Sequence, residues 1–161
     1  MVDDGDPGMA AAVAALRELI LAGEKYRQVA SAYLRVDVGE AQAISYLYSR
    51  GPMGQSELGA LLGFNTSSIT ALVHRLERDH IARRLPHPTD RRRTRVELTD
   101  HGRAAVHTIG HWFTRAFDRI DAAALPEAAA VLATIAADLR AQAVDLAARP
   151  ALDHRALSRQ A

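Results

Sequence analysis

The stretch that decides the fold is QSELGALLGFNTSSITALVHRLERD, residues 55–79. Leu58, Leu61 and Leu62 fall on one side of a short helix predicted over Gln55–Leu62, and Gly63 stands where a left-handed residue closes such a helix. Asn65 then offers its side-chain oxygen to the free N–H groups of a new helix, running from Thr66 to about Asp79. Ile69, Leu72, Val73 and Leu76 recur at helical spacing and form one apolar stripe along it. Two amphipathic helices joined by a tight turn are therefore expected.

Working outward, the upstream chain reads as helix twice over. Residues 1–8 are polar and expected to fray. From Met9, the positions Val13, Leu16, Ile20, Ala30, Tyr33 and Leu34 roughly keep a helical period, predicting one long helix to about Arg35. Asp37 followed by Glu40 is a capping-box spacing. It starts a helix expected to run to Ser49 and stop at Gly51-Pro52.

Downstream, Pro86 and Pro88 end any helix, and Thr94-Arg95-Val96-Glu97-Leu98 alternates as a strand does. A hairpin over Ile81–Leu98 is predicted, its tip near His87 to Arg93. Helix resumes at Thr99 and is expected to continue through Phe113, Phe117 and Ile120. Pro126 suits the first turn of a last helix carrying Val131, Leu132, Ile135 and Leu139, and Pro150 breaks it. The order is that of a winged helix-turn-helix: a mainly α chain with a small β-hairpin wing.

Composition limits the function classes. The 161 residues are 48% hydrophobic and only 5% aromatic, which suits one domain, or one core with appended helices. Without cysteine there is no disulfide framework, no cysteine zinc site and no thiol redox sensing. The acidic start (Asp3, Asp4, Asp6) has the wrong sign for a signal peptide, and no run of eighteen apolar residues occurs. A cytoplasmic protein is expected. The net charge of +1 hides an asymmetry: residues 50–103 hold ten arginines against six acids, and the remainder is mildly acidic. A localised anionic partner follows.

Two features give that partner a chemistry. With the apolar stripe of Thr66–Asp79 turned inward, Thr66, Ser67, Ser68, Thr70, Ala71, His74, Arg75 and Arg78 are expected on or near the outer face. No carboxylate occurs between Glu57 and Glu77. Such a face suits the major groove of double-stranded DNA: small hydroxyls let the helix approach phosphates, Ala71 can meet a thymine methyl, and Arg75 can pair bidentately with guanine. The hairpin is the second feature. Arg83, Arg84, Arg91, Arg92, Arg93 and Arg95 surround one acid, Asp90. Clustered arginines repel one another, and a narrow, electronegative minor groove would relieve that repulsion. A solvated helix face and a solvated charge run are the bland alternatives.

Here the chain resembles the MarR family of bacterial regulators. The resemblance runs through Gly51-Pro52, Gln55-Ser56-Glu57-Leu58, Leu61-Leu62-Gly63 and Ser68-Ile69-Thr70, then Leu72 to Glu77. It continues through Pro86, Pro88, Asp90-Arg91-Arg92 and Val96 to Gly102. It implies a homodimer built from the first and last helices, so that 1–35 and 103–161 form a helical dimerisation region around a winged domain at 36–102. It further implies a pseudo-palindromic operator, Arg92 as the minor-groove arginine and Asp90 as its buttress. A repressor released by a small aromatic or anionic ligand is the usual mode. Two positions depart from the family pattern. His80 stands where glycine is usual, so it must accept a left-handed backbone or shift the turn, and His87 replaces a common aspartate.

For an effector, Tyr26, Tyr33, Tyr46, Tyr48, His111 and Trp112 are the candidate lining, although each is equally explained as core or subunit contact. No cofactor is required. His107 and His111 share a helix face and, with Glu24, are weak metal candidates. Gln42 stands where another ligand would be sought, and a histidine pair on a helix more often packs or faces solvent. A winged helix that binds protein is the competing class. An enzyme is not expected, for want of a phosphate loop, a nucleophile elbow or paired carboxylates.

Overall fold

The structure is a computed structural model that describes residues 6–90 and 94–151. It contains α1 (Pro7–Leu34), α2 (Val38–Arg50), β1 (Met53–Gly54), α3 (Gln55–Leu62), α4 (Thr66–Arg78), β2 (Ala82–Pro86), β3 (Thr94–Leu98), α5 (Asp100–Thr114) and α6 (Leu125–Ala147). Two compact units result, Met1–Phe113 and Thr114–Ala161.

In the first unit one apolar cluster organises the chain. Ala43, Ile44 and Leu47 of α2, Leu58 of α3, the whole α4 stripe, and Val96 and Leu98 of β3 are buried together with Met53, Ile81 and Ala82. Each large side chain so buried contributes about 1.5–3 kcal/mol. The sheet is antiparallel in the order β1-β3-β2. Ala82 faces Leu98 and Pro86 faces Thr94 across the hairpin, while Met53 pairs with Val96. Strand β1 has two residues. That is too short to show alternation, so the sequence pattern gave no sign of it.

The helix ends follow their local chemistry. Asp37 and Glu40 close the expected capping box. Asn65 accepts from the Ser68 N–H at 2.9 Å and caps α4. Helices α1, α3 and α4 all finish in a left-handed residue: Arg35 (φ 57°), Gly63 (φ 68°) and His80 (φ 56°). At His80 the following N–H groups return to the helix, His80 N to Glu77 O at 3.0 Å and Ile81 N to Leu76 O at 2.8 Å. The turn is kept, and the histidine takes the backbone conformation that glycine adopts without strain.

Helix α5 ends earlier than its apolar period predicts. It gives way at Thr114 to a 3₁₀ turn over Arg115–Phe117, and a second such turn spans Ala122–Ala124. Asp121 accepts from the Ala123 N–H at 2.9 Å, so a short acidic side chain takes a backbone donor that a continuing helix would have used.

The terminal helices are poorly covered within the chain. Among its described residues α1 buries only Ser31, and α6 buries none. Val13, Leu19, Ile20, Leu21 and Val29 of α1, and Val131, Leu132, Leu139, Val144 and Leu146 of α6, are exposed. By length and composition alone Ala122–Ala147 is apolar enough to span a bilayer, although, as read from the sequence, it holds no run of eighteen apolar residues. Its alanines raise the mean hydropathy without forming an unbroken apolar run.

Candidate nucleic-acid interface

The outer face of α4 is built from its cap onward. Thr66, Ser67 and Ser68 are exposed in the first turn, and the Ser67 hydroxyl donates to the capping oxygen of Asn65 at 2.8 Å. Ala71, His74 and Arg78 continue the exposed surface. Beneath it Ile69, Leu72, Val73 and Leu76 are at most 2% exposed, so the helix cannot roll without exposing its stripe.

Two residues expected on that face are committed elsewhere. Thr70 is half-buried; its hydroxyl donates to Thr66 O at 2.7 Å and accepts from Gln55 Nε2 at 2.7 Å. Arg75 turns toward α2: its Nε donates to Glu40 Oε1 at 2.5 Å and its Nη2 to Asp37 Oδ2 at 2.8 Å. The hydrogen bond to Glu40 is the main cause holding Arg75 above the ordinary arginine pKa, with burial opposing it. Glu40 is 5% exposed. Withdrawing its cation would cost up to about 3–5 kcal/mol, more than the roughly 1–3 kcal/mol that a bidentate guanine contact returns. In this structure Arg75, expected to read a base, instead ties α4 to the start of α2.

The hairpin needs a similar correction. Arg83 is paired with Glu97, Nη2 to Oε1 at 2.6 Å. Arg84 pairs with Glu77 and also donates to Gln55 Oε1 at 3.1 Å. Arg95 donates to the Pro52 carbonyl. These three arginines are engaged by Glu97 across the hairpin, by Glu77 of α4 and by the Pro52 carbonyl, and do not form an unpaired run. His74 Nδ1 lies 3.7 Å from the same Glu77 oxygen. Arg78 pairs with its neighbour Asp79 at 3.0 Å; that hydrogen bond holds the Asp79 carboxyl below its usual range and raises Arg78.

Arg91, Arg92 and Arg93 lie outside the described residues. Asp90, half-buried, ends the described part of the wing, and the expected buttress of Arg92 falls on the same gap. On the near side of the tip, His87 Nδ1 sits 3.3 Å from the Thr89 hydroxyl. His87 and Thr94 share a polar cleft of 590 Å³ with Gln55 and Ser56 at the start of α3.

The proposed effector lining is dispersed over separate contacts. The Tyr26 hydroxyl donates to Ile109 O at 2.8 Å, and its ring meets Phe113 at 5.5 Å. Tyr48 meets His107 edge-on at 5.9 Å, Tyr46 lies under Arg50, and His111 packs on Trp112. Tyr33 is 68% exposed. None of the six lines the cleft at His87 and Thr94. Among the described residues no three of histidine, aspartate and glutamate converge, so Glu24, His107 and His111 do not make a ligand set.

An amphipathic pair of helices, the second with a carboxylate-free outer face, followed by a hairpin in a three-stranded sheet, defines a winged helix-turn-helix protein. Residues 39–94 match the profile of the MarR family. The sequence is 38% identical over 68 residues to YcgE of Bacillus subtilis (strain 168), described as an uncharacterized HTH-type transcriptional regulator. That match covers 42% of this chain and 44% of the relative, so the chain spans under half of that relative's length. A MarR family protein from Bacillus stearothermophilus shares the fold with a TM-score of 0.66 at 15% identity, covering 86% of this chain and 99% of that one. A MepR mutant from S. aureus, solved bound to an oligodeoxyribonucleotide, has a TM-score of 0.55 at 17% identity, covering 80% and 97%. The fold is common to this chain and the two solved structures.

Proposed function

We propose that the chain is a sequence-specific DNA-binding transcriptional regulator that acts as a homodimer on a pseudo-palindromic operator. The observation that carries this reading is the exposed face of α4, backed by a buried stripe and without a carboxylate from Thr66 to Leu76. Thr66, Ser67 and Ser68 approach phosphates and base edges, and Ala71, His74 and Arg78 extend the contact along the groove. Arg92, with Arg91 and Arg93, supplies the charge for the flanking minor groove by resemblance to the family.

The dimer reading is supported by the apolar side chains that α1 and α6 leave uncovered. A second copy covers them, as water would not favour leaving rows of leucine, isoleucine and valine exposed. Repression, with release by a small aromatic or anionic ligand, completes the proposal and rests on the family alone. A cytoplasmic location follows from the same reading.

The test is selection of duplexes from a random library by the full-length chain, followed by anisotropy titration across salt. A single enriched consensus is expected. If six to ten phosphates are neutralised per dimer, log K against log salt should fall with a slope of roughly −5 to −9. No enrichment, or affinity insensitive to salt, refutes DNA binding and favours a protein partner.

A further inference from the structure

The two carboxylates at the start of α2 each do two things. Asp37 Oδ1 accepts from the Glu40 N–H at 2.7 Å, and Glu40 Oε2 accepts from the Asp37 N–H at 2.9 Å, which closes the capping box. The remaining oxygen of each receives one edge of the Arg75 guanidinium. Every oxygen of both carboxylates is thereby used, and one arginine from the third turn of α4 is gripped side-on. The grip lies at a particular place in the chain. Helix α1 ends at Leu34, reverses through the left-handed Arg35, and reaches Asp37 two residues later. The elbow between α1 and α2 is thus tied directly to the helix that carries the outer face.

We propose that Arg75 is a positioning residue: with Asp37 and Glu40 it forms a strut that sets α4 against the α1–α2 elbow, so that the elbow governs how the outer face meets DNA. The proposal rests on the DNA-binding reading above. The chemistry favours a strut over a loose surface pair. Glu40 is buried, so its carboxylate needs the cation continuously. The guanidinium is planar and binds through two donors on one edge, which fixes direction as well as distance. A shift of the elbow must move α4 or break the fork. Apart from this fork, α4 is held by its apolar stripe and by the Gln55–Thr70 and Arg84–Glu77 contacts, which come from α3 and β2. Its polar tie to α2 is this one alone among the described residues.

The experiment compares four chains: Asp37→Asn, Glu40→Gln, Arg75→Gln and the Glu40→Gln/Arg75→Gln pair. Asparagine still caps α2, so Asp37→Asn keeps a folded reference even if the buried variants unfold, as judged by circular dichroism. Each folded chain is titrated against the duplex selected by the wild type and against an unrelated duplex of equal length. The strut predicts that each single variant loses at least about fivefold in affinity for the selected duplex. Affinity for the unrelated duplex stays nearly constant, which simple loss of folded protein would not produce. The paired variant is no worse than the worse single one, and reselection with Arg75→Gln returns the same consensus. Wild-type affinity in all folded variants overturns the strut. So does loss of preference at one base pair in Arg75→Gln with Glu40→Gln unaffected, because Arg75 would then read a base. Failure of the wild type itself to enrich any duplex is a separate result, which removes the DNA reading and the strut with it.

Discussion

Gly102→Ala should unfold the winged unit more effectively than any change to its exposed faces. A Cβ built on Gly102 would lie 2.1 Å from the carbonyl oxygen of Ile81 and 3.1 Å from its carbonyl carbon. Carbon–oxygen contacts settle near 3.3 Å, so the first turn of α5 and the entry to β2 would have to part by more than about 1 Å. That crossing is where the two backbones are stitched. Thr99 N–H donates to Ile81 O at 3.0 Å, the Thr99 hydroxyl donates to His80 O at 2.6 Å, and it accepts from Gly102 N–H at 3.0 Å. Losing the two bonds that cross to residues 80 and 81, at about 0.5–1.5 kcal/mol each, and loosening the buried Ile81 gives a destabilisation of about 2–5 kcal/mol. In urea, with a slope of about 1–3 kcal/mol/M, the midpoint should fall by roughly 1–5 M. Gly110→Ala on the same helix is the control. Nothing lies within 4 Å of its Cβ, and removing a helix-interior glycine should add about 0.5–1 kcal/mol. Equal midpoints for the two alanine variants would refute the steric argument.

Other outcomes follow from single residues. Asn65→Ala removes the cap of α4 and should cost about 1 kcal/mol in denaturant unfolding, with Asn65→Asp close to wild type. His80→Gly relieves a left-handed backbone and should raise stability by about 0.5–1 kcal/mol; a drop in melting temperature would show that the histidine side chain matters more than its φ. Tyr26 has its pKa raised by burial, so its folded state holds the proton more tightly than the unfolded chain. Its contribution is then complete below about pH 10, the ordinary tyrosine value, and is lost as pH rises through the higher folded value. Tyr26→Phe should flatten that alkaline loss, and an unchanged profile counts against the half-buried Tyr26–Ile109 bond. Deleting residues 126–161 should convert a dimer to a monomer in sedimentation, and a truncated chain that remains dimeric would remove α6 from the proposed contact.

What the sequence revealed and what it concealed divide along a physical line. Helix existence, the α4 stripe, the Asn65 cap, the Asp37–Glu40 box and the hairpin were all legible, since each depends on residues within one or two turns of one another. Local rules fail where a short acid diverts the backbone, as Asp121 does beyond α5. They fail also for β1, whose two residues are strand only because β3 lies beside them. His80 was an intermediate case: the position was known to demand a left-handed residue, but only the structure shows the turn retained in place of a shift.

The arginines carry the more general point about reading an interface from a charge pattern. Counting charge along the chain treated Arg75, Arg83, Arg84 and Arg95 as available to a polyanion. In space each has an acceptor: Glu40 and Asp37, Glu97, Glu77, and the Pro52 carbonyl respectively. A guanidinium on a long, flexible stem finds partners well beyond its own helical turn, and helical spacing gives the direction of Cβ without giving the direction of the head group. The same arginines that raise the local charge therefore also act as ties, Arg75 and Arg84 holding α4 to α2 and β2, and Arg83 and Arg95 holding the sheet and the Pro52 loop. Positive potential and rigidity are supplied together, so neutralising any one of the four should disturb geometry as well as attraction. Arg78, paired only with an exposed neighbour, is the exception on α4, and Arg78→Ala is where a change in salt slope of about one unit without a change in helix placement is expected.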